Sequence, residues 1–168
     1  MAEITIIAAD GFGLATIVPI APLPQVAAAL SGMASLLAIG PQQVPAHADC
    51  GGPDWAEAVG TRLAGLAHVV DQSSAYALFA LAGPGAWRLL QKGLPVDLSP
   101  EHFPVGGVVV SAIAQIGVIA RHRAPDRFDL LVARSLAGHF RHWLDTAAPT
   151  VAGAAPHGEP TGTASSAK

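Results

Sequence analysis

His47, Asp49 and Cys50 form the tightest grouping of metal-ligating and nucleophilic side chains in the sequence. A zinc site needs three or four converging ligands, and a cysteine nucleophile needs a basic partner and a lowered pKa. The trio lies in a stretch rich in proline and glycine, which reads as a surface loop with incidental polar residues. Nothing beside Cys50 in the sequence would activate it, so it reads as an inert thiol. His139 and His142 share a segment that reads as helix, where they flank Phe140 and Arg141. Solvated or interfacial positions account for them better than ligation. No metal ligand is assigned.

Two glycine clusters invite a nucleotide reading. Gly11-Phe12-Gly13-Leu14-Ala15-Thr16 follows an apolar run but lacks a third glycine, and what comes next is β-branched and reaches Pro19. A pyrophosphate site requires a helix N-terminus directly after the glycines, so a turn is expected instead. Gly83-Pro84-Gly85 also lacks the third glycine and has no βαβ unit around it. Lys92 and Lys168 are the only lysines, and neither belongs to a phosphate-loop motif. Ser73 and Ser74 follow Asp71 without a nucleophile elbow. Asp71-Gln72-Ser73 is expected to make local side-chain to backbone bonds at a strand end. Asp97 and Glu101 could share acid–base work, yet Asp at a turn is ordinarily structural. Arg121, Arg123, Arg127, Arg134 and Arg141 are the densest charge in the chain. They would suit an acidic partner or a polyanionic cofactor tail, and a solvated face explains them equally well. No catalytic residue is assigned, and the cofactor-binding residues are left open.

The elements that must carry these residues belong to a chain of 168 residues, enough for one domain with a tail. It is 51% hydrophobic and 12% charged, which excludes an acidic or basic disordered chain. A net charge of −3 without a basic run gives nucleic-acid binding no footprint. One cysteine excludes a disulfide framework within the chain and makes a reducing cytoplasm the default. Between Gly11 and Ala48 there is no Asp, Glu, Lys or Arg, but five prolines interrupt the stretch, so no membrane span is expected. The acidic residues Glu3 and Asp10 argue against a secretory leader. So charge-poor a surface is explained by a partner protein covering it, or by an alanine-rich composition alone.

Strands are expected at Ile4–Ala9, Leu14–Ile20, Ser35–Ile39, His68–Asp71, Tyr76–Ala82, Gly107–Ile113, Ile116–His122 and Arg127–Val132. Pro19 marks an edge or a stop, and Gly117 a bulge or close approach. Helices are expected over Gln25–Met33, Pro53–Leu66, Ala86–Gln91 and Leu136–Ala147. The second carries an apolar stripe of Trp55, Val59, Leu63 and Leu66; the last points Leu136, Phe140, Trp143 and Leu144 at the core and stops at Pro149. The fold class is α+β, helices packed on an antiparallel or mixed sheet. Residues 1–148 form one domain, and 149–168 a disordered tail.

An ordered set of short motifs points further. It runs Asp71-Gln72-Ser73, Leu81-Ala82-Gly83-Pro84-Gly85-Ala86, Leu89-Leu90, Lys92-Gly93-Leu94-Pro95-Val96-Asp97-Leu98, Phe103-Pro104 with Gly106, Arg134-Ser135-Leu136-Ala137 and Trp143-Leu144. Spanning Val70 to Ala147, this set resembles the gamma subunit of heterotetrameric sarcosine oxidase, a small protein similar to part of the folate-binding aminomethyltransferase fold. Ile39-Gly40-Pro41-Gln42-Gln43 departs from the family's Gly-Pro-Asp-Glu-Trp, losing its acids and its tryptophan. The resemblance implies a non-catalytic subunit of a flavoenzyme complex that oxidises sarcosine or a similar N-methylated amine. It implies alpha, beta and delta partners, with FAD, FMN, NAD and zinc residing mainly in the larger and smallest of them, and tetrahydrofolate as a one-carbon acceptor. No cofactor is then expected on this chain alone. The rival readings are a free-standing folate-binding aminomethyl-transfer protein and a small adaptor unrelated to amines.

Overall fold

The computed structural model describes residues 3–37, 39 and 44–152. Nine strands and four helices follow in the order β1 (Thr5–Ala9), β2 (Gly13–Pro19), α1 (Leu23–Leu30), β3 (Ser35–Leu36), β4 (Val44–Ala48), α2 (Trp55–Arg62), β5 (Ala67–Asp71), β6 (Tyr76–Ala82), α3 (Ala86–Gly93), β7 (Val108–Ile113), β8 (Ile116–Ala124), β9 (Arg127–Ala133) and α4 (Ala137–Ala152). They make a five-stranded sheet, β1-β6-β9-β8-β7, and a four-stranded sheet, β3-β4-β2-β5. Each strand pair is antiparallel, one of the two arrangements expected for the α+β class.

Alternation along the strands sends successive side chains to opposite faces, and each sheet uses both. Phe79, Leu81, Phe128, Leu130 and Val132 pack with Leu89 and Leu90 of α3 and Phe140 and Leu144 of α4. On the smaller sheet, Ala15, Ile17 and Ala46 pack with Val26 and Leu30 of α1 and Val59 and Leu63 of α2. The remaining faces meet each other through Phe12, Leu14, Leu37, Leu78, Ile119 and Leu131. The result is helices, sheet, sheet, helices, with an inter-sheet seam in the middle.

Several expectations need correction. The proline- and glycine-rich stretch around His47 reads as a surface loop, yet β4 is present and buried at all five positions. The carbonyl of Pro45 accepts from the Leu37 N–H at 2.7 Å. A strand residue presents its N and its carbonyl to the same side, so the donorless nitrogen of Pro45 lies where β3 has already ended at Leu36, not towards β2. Pro19 is the last residue of a central strand, so it is a stop and not an edge. The irregularity in β8 falls between His122 and Ala124, whereas Gly117 pairs regularly with Ala112. Helix α4 runs through Pro149, because Val151 beyond it is buried in the larger core. Leu136, expected in the core, is an exposed residue of the turn Arg134–Leu136. Of the expected tail, residues 153–168 lie outside the described residues, as do Gly40-Pro41-Gln42-Gln43. No helix among the described residues is long and apolar enough to cross a membrane.

Candidate functional site

The apolar seam between the sheets continues into a polar cluster. His47 on β4 is the cross-strand partner of Leu14, whose side chain belongs to the seam, so the imidazole faces the larger sheet as well. Opposite it, Arg121 of β8 and Asp129 of β9 are cross-strand partners, one alternation beyond the seam pair Ile119 and Leu131. Between His122 and Ala124 the register advances two residues on β8 for one on β9, so Arg123 is an inserted residue. Such a bulge re-aims its side chain, and Arg123 reaches in two directions. Its Nη1 donates to Asp129 Oδ2 at 3.3 Å, and its Nη2 forms a close ion pair with Asp49 Oδ2 just past β4. One guanidinium thus ties the two sheets together.

His47 is 3% exposed and Asp129 4%, so both are core residues. Arg121 Nη1 donates to His47 Nδ1 over a long 3.5 Å, and Asp49 Oδ1 lies 3.9 Å from the same nitrogen. A guanidinium does not give up its proton, so Nδ1 is the acceptor and the imidazole proton sits on Nε2. Desolvation is the main cause of a His47 pKa below the ordinary histidine value; Asp129 and Asp49 oppose the shift while Arg121 and Arg123 reinforce it. Nε2 is buried without a hydrogen-bond partner. The hydrogen bond from Arg123 holds the Asp49 carboxyl below the usual carboxylate range. Beside these groups opens a cleft of about 390 Å³, walled by the turn from Gly32 to Ser35, the chain from His47 to Cys50, and Arg121 and Arg123.

The sequence reading places His47, Asp49 and Cys50 on a surface loop. His47 is instead in a buried strand, while Asp49 and Cys50 just after it are exposed. The arginines do not form one patch. Arg134 donates to the Ser74 carbonyl at 2.7 Å and the Ser73 carbonyl at 3.3 Å. Arg141 chelates Asp145 one helical turn on, and Arg127 is exposed at the start of β9. His139 and His142 are both exposed on α4. Asp71 makes its expected local bond, Ser73 N–H to Oδ1 at 2.9 Å, and Ser73 Oγ also accepts from the Leu14 N–H at 3.0 Å, tying the loop to β2. Asp129 and His122 escape the sequence reading altogether. His122 stacks on both Phe103 and Phe128, which also stack on each other, and its Nδ1 lies 2.8 Å from the Phe103 carbonyl.

Neither glycine cluster offers a phosphate cradle. Gly11 and Gly13 lead into β2, not into a helix, and a Cβ at Gly13 would fall 2.5 Å from the Trp55 ring. Gly83 does precede α3, but its N–H is bound to the Asp126 carbonyl and that of Gly85 to the Glu3 carbonyl. The pyrophosphate of FAD or NAD therefore does not fit either turn. Ser99, His102 and Asp97 sit together on an exposed turn: Ser99 Oγ and Asp97 Oδ2 lie 3.0 and 2.9 Å from the same His102 Nδ1. A proton relay needs the two on different ring nitrogens, so this is a turn cap. The Ser99 N–H holds the Asp97 carboxyl below its usual range. Among the described residues, no group of three His, Cys, Asp or Glu side chains converges as metal ligands.

The fold and the sequence can be set beside known proteins. The chain is 32% identical over 130 residues to sarcosine oxidase subunit gamma of Corynebacterium sp. (strain P-1), a match covering 73% of this chain and 62% of that one. It is 30% identical over 142 residues to sarcosine oxidase subunit gamma of Arthrobacter sp., covering 77% and 68%. This chain thus spans roughly two-thirds of the length of those relatives. A solved chain of the heterotetrameric sarcosine oxidase from Corynebacterium sp. U-96, in complex with pyrrole 2-carboxylate, superposes with a TM-score of 0.77 at 21% identity, over 92% of this chain and 88% of that one. At that identity the superposition shows a shared fold. The model of the family described as sarcosine oxidase, gamma subunit, matches residues 14–150, and the chain belongs to that family.

Proposed function

We propose that this chain is a non-catalytic gamma-type subunit of a sarcosine oxidase-like flavoenzyme. The assembly oxidatively demethylates sarcosine or a similar N-methylated or secondary amine, in the cytoplasm, with alpha, beta and delta subunits as partners. FAD, FMN, NAD and tetrahydrofolate belong to the assembly and not to this chain. The family match over residues 14–150 is the observation that carries the reading. The physics of the surface supports it. Strands β1 and β7 are the two edges of the larger sheet, and neither contains a charged residue or a proline. Both present a large apolar side chain, Ile7 at 53% exposure and Val110 at 55%. A lone protein guards such edges with lysine, proline or a covering element; in an assembly the partner supplies the cover, and interface cores are poor in charge.

Co-expression with the neighbouring large subunits, followed by sizing chromatography with a flavin absorbance trace, tests this. Co-elution in a yellow complex is expected. A monomer that retains folate, or one that turns over an amine alone, overturns the reading.

A further inference from the structure

We infer that the cleft beside the inter-sheet cluster is a binding site for a single carboxylate group, held on the Arg121 guanidinium. Both aspartates of the cluster are engaged by Arg123, which leaves Arg121 with His47 Nδ1 as its described partner and with no ion pair among the described residues. Arg121 is only part-exposed, and its charge acts on Asp49 without a direct ion pair, so most of its donors are left unsatisfied. A guanidinium carries five N–H donors in a planar fork that matches the two oxygens of a carboxylate. His47, only 3% exposed, keeps its imidazole against this cation while its own Nε2 lacks a partner. The cleft, at about 390 Å³, lies at the small end of the range for ligand pockets.

The same surroundings select among anions. Asp49, its carboxylate held by Arg123, lines the cleft itself, so a phosphate dianion meets more repulsion there than a carboxylate monoanion, which brings the least charge that still completes the pair. Met33 and Ala34 give part of the lining an apolar character, which fits a short hydrocarbon remainder. A free small monocarboxylic acid and the acidic side chain of another subunit present this chemistry equally. The inference does not depend on the assembly, because the pocket is built from this chain alone.

The test is a titration of the ¹⁵N-labelled full chain with sodium acetate, with sodium chloride at matched ionic strength and acetamide as the neutral isostere. Saturable shifts of the Arg121 side-chain Nε–H and of the amides of Gly32 to Ser35 are expected with acetate, and none with acetamide or chloride. Arg121→Gln should abolish the saturable response, and Arg127→Gln should leave it intact. If Arg121→Gln does not fold, the acetate and acetamide comparison decides the matter on the wild-type chain. Equal responses to acetate, acetamide and chloride, or a saturable acetate response that survives in Arg121→Gln, overturn the inference. With binding established, repeating the titration on the flavin-containing complex separates the sources. A persisting response identifies a free carboxylate, and a response lost on assembly identifies a partner's acidic side chain.

Discussion

Replacing Arg123 with alanine removes one side chain and strands two carboxylates of very different exposure. Asp49 has 54% of its side chain open to water, so losing that ion pair costs no more than about 1 kcal/mol. Asp129 has 5%, and a buried charge stripped of its partner costs about 3–5 kcal/mol when no water can reach it. Arg123 itself is 37% exposed, so solvent enters the space it vacates and the second figure falls to about 2 kcal/mol. The sum is about 2–3 kcal/mol, or a lowering of Tm by about 4–12 °C in a chain of this size. Asp49→Ala should cost less than about 1 kcal/mol, and that loss should shrink in high salt, since exposed pairs are screened. Urea denaturation of Arg123→Ala, Asp129→Asn and the double variant closes a thermodynamic cycle. Neutralising Asp129 relieves the stranded charge, so the double variant should be more stable than the sum of the singles by about 1–2 kcal/mol. If Arg123→Ala costs no more than Asp49→Ala, or the cycle is additive, the guanidinium is not what joins the sheets.

Three further outcomes can be checked on the same preparation. His47 is held neutral by burial, with its folded pKa below the unfolded value of 6.5, so the unfolded chain binds the extra proton; its stabilisation is complete above pH 6.5 and declines as pH falls through the folded pKa. Unfolding followed between about pH 7 and 5 should therefore show a slope that His47→Gln flattens, and an unchanged slope would remove His47 from the account. Ala114 and Gln115 join β7 to β8 with φ of 50° and 66°, the left-handed pair of a tight hairpin for which Asn-Gly is the preferred sequence. The double change Ala114→Asn, Gln115→Gly should stabilise by about 1 kcal/mol, read as a rise in Tm of about 2–4 °C; a fall would mean the turn is held by something else. A chain ending at Ala148 lacks Val151, which is 2% exposed, and the Lys92 to Thr150 hydrogen bond of 2.7 Å. It should be less stable than a chain ending at Ala152 by about 1.5–3 kcal/mol, and equal melting curves would place the domain boundary at Ala148 after all.

What the sequence disclosed follows from how far apart the interacting residues lie along the chain. Helix α2 was legible because Val59 and Leu63 sit one turn apart and pack on the same layer. The β6 strand was legible to the residue, since Tyr76–Ala82 is an unbroken apolar run closed by Gly83-Pro84, with Leu78 buried on one face and Phe79 and Leu81 on the other. Strand β4 was hidden by Pro45, because whether a proline breaks a strand depends on the side to which its nitrogen points, and that is set by where β3 ends. Pro149 misled for a related reason: the burial of Val151 outweighs a local helix-breaking preference of about 3 kcal/mol only together with the bonds around Thr150. The pairings within the polar cluster were beyond sequence reasoning. Arg123 meets Asp49, and Arg121 meets His47, across 74 residues. Each residue alone is better explained as a solvated charge or an incidental polar group, and only the sheet-on-sheet layer turns them into a pair of interlocked contacts. One local signal did exist. Arg121, Arg123 and Asp129 flank a short polar turn in a chain with very few charges, and charges spaced by two along a strand share a face. In a protein this poor in charge, two arginines on one face of a strand mark a place where something acidic must be waiting: for Arg123 it is Asp49 and Asp129, and for Arg121 it has still to arrive.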